Sequence, residues 1–261
     1  MPPGREERGW ILSGVGLGLA QIGLWAAWLG TITGVVGLLG ARTARQVHAS
    51  LIAGLLVAAY FAVLLASFGL QATIVGPGHY PWLGKALVAA AVVGAAFAGV
   101  GPNATSLGLT TVPRPRPLWP ILAGIAACLL VSLADPSIPG DPHAPECIAF
   151  EATMPGLEEE LFFRGLLLAT MGDAFPPRWR VLGAPVGWGH LLVVVVFVCG
   201  HLFSIDASLR PHVATQLLPA ASLLGFAVAC TWVRARSGST WWAVATHNAA
   251  NLWLVALAWL R

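Results

Sequence analysis

The most restrictive feature of this chain is a series of apolar stretches, each long enough to cross a lipid bilayer. A spanning helix needs about 20 mostly apolar residues, and eight candidate stretches follow one another along the 261 residues. They are residues 10–39, 49–71, 82–100, 118–134, 149–171, 187–206, 213–232 and 240–260. The connecting segments leave no room for a separate soluble domain, which takes about 50 residues or more. We therefore predict an all-α, polytopic membrane helical bundle with about eight transmembrane helices.

Composition agrees with a membrane location and excludes other classes of protein. Hydrophobic residues make up 57% of the chain and charged residues 10%, whereas soluble domains carry about 25% charged residues. The net charge is only +3 and no aromatic residues alternate with the basic ones, so we expect the lipid bilayer as a partner and no nucleic acid. The four cysteines show no CxxC spacing, which argues against a disulfide framework or a zinc finger.

Loop charges predict the orientation of the bundle, because basic residues collect in short cytoplasmic loops. Arginine pairs occupy alternate loops: Arg42 and Arg45, Arg114 and Arg116, Arg178 and Arg180, Arg234 and Arg236. The opposite side carries the acidic loop Asp135 to Glu146, arginines with acidic neighbours, and the terminal Arg261. Both termini are therefore expected on the non-cytoplasmic side. Lys85 fits neither set of loops.

The fifth stretch contains three consecutive acids, Glu158, Glu159 and Glu160, followed by Arg164. Each charge at bilayer depth costs at least a few kcal/mol unless it is paired or hydrated, so such residues mark a functional polar site. Residues four apart share one face of a helix. Arg164 is therefore expected to neutralise Glu160 and to leave Glu159 free as a general base.

Two further polar clusters lie in later stretches: Phe197-Val198-Cys199-Gly200-His201 and His247-Asn248-Ala249-Ala250-Asn251. Counted along the predicted spans, Glu159, His201 and His247 each lie about ten residues from a span end, so they fall at a similar depth. His247 and Asn251 share one helix face, while Asn248 points away from that face and can bond a neighbouring helix. Three polar centres at one depth can share one cavity.

This set of residues is typical of a hydrolase. A water held between Glu159 and His201 could lose a proton and attack a peptide carbonyl, while His247 and Asn251 stabilise the oxyanion. The alternative is a zinc site in which Glu159, His201 and His247 are ligands and the metal activates the water. No HExxH motif is present, so the preferred mechanism requires no cofactor, and Zn2+ is the alternative cofactor.

The three clusters resemble the EExxxR, FxxxH and HxxxN signatures of the CPBP intramembrane proteases, a family that includes CAAX prenyl endopeptidases and bacteriocin-processing (Abi-type) proteins. The resemblance covers about residues 150 to 255 and implies an all-helical bundle. Members are commonly labelled metalloproteases. The roles it implies are water activation for Glu159 and His201, support of the first motif for Glu160 and Arg164, and oxyanion stabilisation for His247 and Asn251.

We therefore predict two parts, residues 1–148 with transmembrane helices but no recognisable motif, and residues 149–261 with the CAAX-protease-like catalytic helices. The predicted function is an intramembrane endopeptidase of the bacterial plasma membrane. Its substrate would be a prenylated CAAX-type tail, a peptide pheromone or a bacteriocin leader, and the sequence does not fix its oligomeric state. Two alternatives stay open: a proton-coupled transporter, since Glu, His and Asn at the midplane also build proton relays, and a non-catalytic bacteriocin-immunity or scaffold protein. No inverted repeat of the kind found in many transporters is visible.

Overall fold

The computed structural model describes residues 5–76, 79–110, 119–133, 141–206, 208–214 and 216–260, and almost all of its regular structure is helical. The helices are α1 (Arg5–Gly40), α2 (Ala44–Ile74), α3 (Trp82–Phe97), α4 (Trp119–Ser132), α5 (Pro145–Glu151), α6 (Met154–Glu160), α7 (Leu168–Gly172), α8 (Trp188–Leu202), α9 (Leu217–Ser237) and α10 (Thr240–Trp259). A π-helical segment, Leu161–Leu167, joins α6 to α7. Each of the eight predicted spans contains a helix, so the all-α class is confirmed.

Within the described ranges, three helical segments are long and apolar enough to cross a membrane: Gly18–Gly40, Ala44–Ile74 and Leu217–Ser237. Helices α3 and α8 are also apolar but shorter. The protein is therefore an integral membrane protein. Arg114, Arg116 and Arg261, as well as residues 135–140 of the acidic loop, lie outside the described residues.

Two short β-hairpins, which the apolar pattern does not predict, lie on either side of α8. Strands β1 (Trp179–Val181) and β2 (Ala184–Val186) pair antiparallel, and the turn between them consists of Leu182 and Gly183 at φ 49° and 82°. Positive φ at both central residues is the geometry of a type I′ turn, which matches the twist of paired strands. Strands β3 (Phe203–Ile205) and β4 (Pro211–Val213) form the second hairpin. Because β3 begins directly after α8, that helix ends four residues before the predicted end of the span, residue 206.

Helix α9 extends five residues beyond the predicted span end at residue 232 and includes Arg234 and Arg236. The Arg234 side chain is bound inside the protein, because its Nε donates to the Arg164 carbonyl at 3.2 Å and to Thr240 Oγ1 at 3.0 Å. The helix stops at Gly238, whose φ of 75° is a left-handed conformation that glycine adopts readily.

The helices pack so that α6 lies between two partners that come from distant parts of the chain. Helix α6 contacts α3 on one side and α10 on the other, while α1 packs along α2 and α4 along α9. The α1–α2 contact is close at Gly30 and Gly54, where a Cβ on either residue would lie 2.7 Å from the other's carbonyl oxygen. Small residues permit this approach of membrane helices.

A polar contact outside the apolar helices ties the start of α3 to the start of α5. The Glu146 carboxylate lies 3.1 Å from His79 Nδ1, and it accepts hydrogen bonds from the Tyr80 backbone N–H and the Trp82 indole. The hydrogen bond with His79, followed by those from Tyr80 and Trp82, holds the pKa of Glu146 below its usual range. The segment that leads into α3 and the start of α5 are therefore joined by a hydrogen-bonded carboxylate.

Candidate active site

The first motif forms a buried ion pair within one helical run. Arg164 Nη1 donates to Glu160 Oε1 at 2.9 Å, and neither side chain is exposed. On α9, Arg164 Nη2 donates to the Ala227 carbonyl at 3.2 Å and Arg164 Nε donates to Thr231 Oγ1 at 3.3 Å. This pairing agrees with the four-residue spacing, and the contacts with α9 satisfy a charge that would otherwise be costly to bury.

The aromatic residue of the second motif completes the surroundings of Arg164. The Arg164 guanidinium carbon lies 4.2 Å from the centre of the Phe197 ring, a cation–π contact. The Phe197 carbonyl oxygen lies 2.8 Å from His201 Nδ1. The phenylalanine therefore contacts the arginine of the first motif and orients the histidine of the second.

Glu159 is not free of cations, contrary to the sequence-based expectation. The ammonium group of Lys85, on α3, lies 2.7 Å from Glu159 Oε1 and 2.8 Å from Glu158 Oε2. The expectation that Glu159 has no cationic partner was wrong because it rested only on neighbours within the same helix. Lys85 lies on α3, 74 residues away from Glu159 in the chain. The other oxygen of Glu159, Oε2, is buried and has no hydrogen-bond partner among the described residues.

That second oxygen faces His201. Glu159 Oε2 and His201 Nε2 are 3.7 Å apart, which is longer than a direct hydrogen bond. Because a carbonyl oxygen can only accept, His201 must carry its proton on Nδ1, and its Nε2 is then an acceptor in the neutral ring. The His201 side chain is 42% exposed whereas that of Glu159 is 12% exposed, so the site opens on the His201 side.

The position of His201 along its helix differs from the prediction. It is the next-to-last residue of α8, not a residue near the middle of a span. The predicted span extends to residue 206 because the apolar pattern continues into β3. His201 nevertheless approaches Glu159, since α8 packs beside the π-helical segment.

His247, in contrast, pairs with the second glutamate of the first motif. Its Nδ1 lies 2.8 Å from Glu160 Oε1, the same oxygen that accepts from Arg164. Its ring is nearly perpendicular to that of Phe226, with the ring centres 4.8 Å apart. Glu160 thus connects Arg164 to His247 and fixes the orientation of the imidazole.

The two asparagines of the third cluster have different partners. Asn251 Nδ2 donates to Glu151 Oε2 at 2.8 Å. Asn248 accepts from the Gly156 backbone N–H at 2.9 Å and donates to the Thr153 carbonyl at 3.2 Å. Asn248 therefore bonds a neighbouring helical segment, as its position on α10 indicated, and both bonds lie at the start of α6.

The proposed zinc ligands Glu159, His201 and His247 do not fit a metal as they are arranged. Imidazole nitrogens and a carboxylate oxygen are suitable donors, but the Lys85 ammonium already contacts Glu159. Within the described ranges, no group of three or more His, Cys, Asp or Glu side chains is placed to hold an ion. Geometry gives the metalloprotease interpretation no support, and we derive no step through a metal.

Sequence reasoning missed Lys85, although a signal was present. Lys85 is the only lysine in the chain, and it lies in an apolar stretch, where an ionisable residue marks a functional site by default. In the loop-charge analysis Lys85 counts only as an orientation signal, and its partners depend on the packing of α3 on α6. Glu151, the partner of Asn251, also lies within a predicted span, residues 149–171, and so carried the same kind of signal.

The fold and this cluster define a class of protein, a helical membrane protein with carboxylates and imidazoles gathered around one partly open polar site. Residues 145–253 match the family model described as Type II CAAX prenyl endopeptidase Rce1-like. Over these residues the chain is similar to the CAAX-protease (CPBP) family, so the predicted resemblance is confirmed there. No curated protein and no solved structure matches the chain. The match supports, in general class, a CAAX-type membrane endopeptidase.

Proposed function

We propose that this protein cleaves a peptide bond at the membrane with a water molecule activated by Glu159 and His201. The observation that carries the proposal is the 3.7 Å gap between Glu159 Oε2 and His201 Nε2. A water can hydrogen-bond to both acceptors across this gap at normal distances of about 2.8 Å. Two acceptors on one water increase its basicity and orient a lone pair toward a substrate carbonyl.

In the first step, the water oxygen bonds to the carbonyl carbon and its proton passes to the Glu159–His201 pair. The carbonyl oxygen becomes an oxyanion. When the intermediate collapses, the C–N bond breaks and the same proton is delivered to the leaving nitrogen, so that a carboxylic acid and an amine result. The pair acts first as a base and then as an acid.

His247 and Asn251 are proposed to stabilise the oxyanion. The pairing of His247 Nδ1 with Glu160 leaves Nε2 for the substrate, and Nε2 donates a hydrogen bond when the ring is protonated.

Lys85 is proposed as a positioning residue. Its contact with Glu159 Oε1 keeps the carboxylate ionised and leaves Oε2 directed at His201. The substrates that we propose are a prenylated CAAX-type tail, a peptide pheromone or a bacteriocin leader. We also propose the bacterial plasma membrane, with the arginine-rich loops inside, as the site of action.

The decisive experiment compares Glu159→Gln with Glu158→Gln in proteoliposomes that contain a fluorogenic prenylated peptide. Both variants remove one buried carboxylate that contacts Lys85, but only Glu159 faces His201. We expect cleavage to disappear in Glu159→Gln and to persist in Glu158→Gln. Equal activity of the two variants contradicts the proposal. Proton flux that is lost in Glu159→Gln without any cleavage in the wild type would instead indicate a transporter.

The non-catalytic alternative is tested in cells. A protein that acts only by binding a partner should keep its phenotype when His201 or His247 is replaced by alanine. The peptidase should lose its phenotype with either replacement. Comparative peptidomics of cells with wild-type or Glu159→Gln protein would then identify the substrate.

A further inference from the structure

A cleft with a mainly apolar lining and two arginines lies far from the candidate active site, where the α1–α2 turn meets the β1–β2 hairpin. It has a volume of about 230 Å³, and Arg42 and Arg178 line it together with Leu39, Phe175, Trp179 and Trp188. Helix α8 begins at Trp188 and reaches His201 thirteen residues later. At 1.5 Å per residue, the cleft and His201 are about 20 Å apart along this helix.

The two arginines are charged groups without an acidic partner. Both are exposed, and neither takes part in any of the ion pairs that the described residues form. Asp173, the acid closest in sequence to Arg178, is likewise absent from those pairs. The cleft therefore presents two guanidinium groups, which suit planar, bidentate recognition of phosphate or carboxylate oxygens.

The walls of the cleft are held in place before any ligand binds. The buried Gln46 side chain accepts from the Arg42 backbone N–H at 2.7 Å and donates to the Ala174 carbonyl at 3.1 Å. Gln46 thus joins the wall that carries Arg42 to the segment that leads to Arg178. The Arg178 backbone N–H is bonded to the Val186 carbonyl at 2.9 Å, which anchors the second arginine at the base of the hairpin.

The indole of Trp188 forms a rigid part of the wall. Its Nε1 donates to the Val36 carbonyl at 3.1 Å. The ring packs on Gly40 so closely that a Cβ there would lie 2.3 Å from the indole nitrogen. Because the indole is held on both sides, the cleft keeps its shape.

The location of the cleft indicates the source of its ligand. Arg42 lies in the turn between Gly18–Gly40 and Ala44–Ile74, two segments long enough to span the membrane, so this turn lies at a membrane face. Leu39 and Trp179 are 76% and 56% exposed, and an exposed tryptophan beside arginines is typical of the headgroup region. The volume of 230 Å³ is below the roughly 300–1,000 Å³ of pockets for drug-sized ligands, which suits a headgroup.

We propose that Arg42 and Arg178 bind the phosphate of an anionic phospholipid headgroup. Free inorganic phosphate has the same chemistry, but the position at the membrane face favours the lipid. Basic pockets at such positions are a recurrent means of lipid recognition. The proposal concerns a site remote from the peptidase centre, and its test measures lipid binding independently of activity.

The experiment uses matched pairs of arginines. Arg42→Gln/Arg178→Gln removes the two cleft charges, whereas Arg45→Gln/Arg180→Gln removes two exposed charges from the same two segments without changing the cleft lining. The full-length protein is purified in neutral detergent with phosphatidylglycerol or phosphatidylcholine, and retained lipid is counted by native mass spectrometry. We expect the wild type to retain phosphatidylglycerol in preference to phosphatidylcholine. The cleft variant should retain at least about fivefold less phosphatidylglycerol than the wild type. The control variant should stay within about twofold of the wild type.

Several results would overturn the proposal. Equal losses in both double variants would show that the arginines act only as a diffuse orientation signal. Equal retention of the two lipids by the wild type would exclude a preference for anionic headgroups. Full displacement of phosphatidylglycerol by millimolar inorganic phosphate would identify a free-phosphate site. If the glutamine variant does not fold, Arg42→Lys/Arg178→Lys keeps both charges, and it must retain phosphatidylglycerol over phosphatidylcholine.

Discussion

Replacing Lys85 by methionine tests how the first half of the chain contributes to the active site. The substitution keeps a similar length but removes the ammonium group that contacts Glu159 at 2.7 Å and Glu158 at 2.8 Å. These two carboxylates are buried, so their mutual repulsion is poorly screened. The change leaves two adjacent buried carboxyl groups without the cation that both of them contact.

The expected magnitude follows from this geometry. An opposite charge in direct contact favours the ionised form of a carboxylate by about 1–3 pH units. If Glu159 must be ionised to accept a proton, the pH at which activity is half lost on the acid side should rise by about the same amount in Lys85→Met. Removal of one partner from a buried ion pair should also lower the free energy of unfolding by about 3–5 kcal/mol.

The assay is kcat/KM for a fluorogenic prenylated peptide in proteoliposomes, measured from acidic to alkaline pH. Lys85→Arg is the matched control because it keeps a cation of similar reach, and it should retain the wild-type acid limb. A purely structural role would lower activity at every pH without moving that limb. A wild-type pH profile and wild-type kcat/KM in Lys85→Met would refute the role of Lys85 in positioning Glu159.

Three further predictions concern packing, the oxyanion and metal dependence. Gly156→Ala should destabilise the protein by about 1–3 kcal/mol and reduce activity, because the new Cβ would lie 2.9 Å from a backbone carbonyl oxygen of α10. Gly172→Ala, with no atom within 4 Å of its new Cβ, should leave the melting temperature equal or slightly higher. Asn251→Ala should lower kcat by about 10²–10³ with little change in KM if its amide stabilises the oxyanion, and an unchanged kcat would remove it from that role. Purified enzyme treated with a zinc chelator should keep its activity, and loss of activity that Zn2+ restores would favour the metal mechanism.

The helices were largely predictable because the length of an apolar stretch is a direct physical requirement for crossing lipid. Their ends were not, since local hydrogen bonds determine them. The apolar pattern runs from α8 into β3 without interruption, although the chain has already left the helix at Leu202. Similarly, the sequence predicts that Arg234 lies in a loop, but Arg234 belongs to α9. Its guanidinium group donates hydrogen bonds to three acceptors, which hold it there.

The contacts of the candidate site also fall into two groups, local contacts that the sequence predicts and distant contacts that it does not. The Glu160–Arg164 pair depends on a spacing within one helical run, and such spacings can be read from sequence. Asn251 and Glu151 meet although they are 100 residues apart, and Lys85 reaches Glu159 across 74 residues. Contacts of this kind depend on which helices pack together, and a single sequence does not specify helix packing.

Glu158, the glutamate that is not part of the EExxxR signature, explains why this chain needs a cation from outside its motifs. The EExxxR signature contains two acids, and its arginine pairs with Glu160, whereas Glu158 is an additional buried carboxylate. Because an unpaired buried charge is costly, Lys85 and Glu158 should stabilise the protein as a pair. In a double-mutant cycle, Lys85→Met/Glu158→Gln should therefore be about 0.5–3 kcal/mol more stable than the sum of the single effects implies. Strictly additive effects would show that Lys85 serves Glu159 alone and that Glu158 has another means of stabilisation.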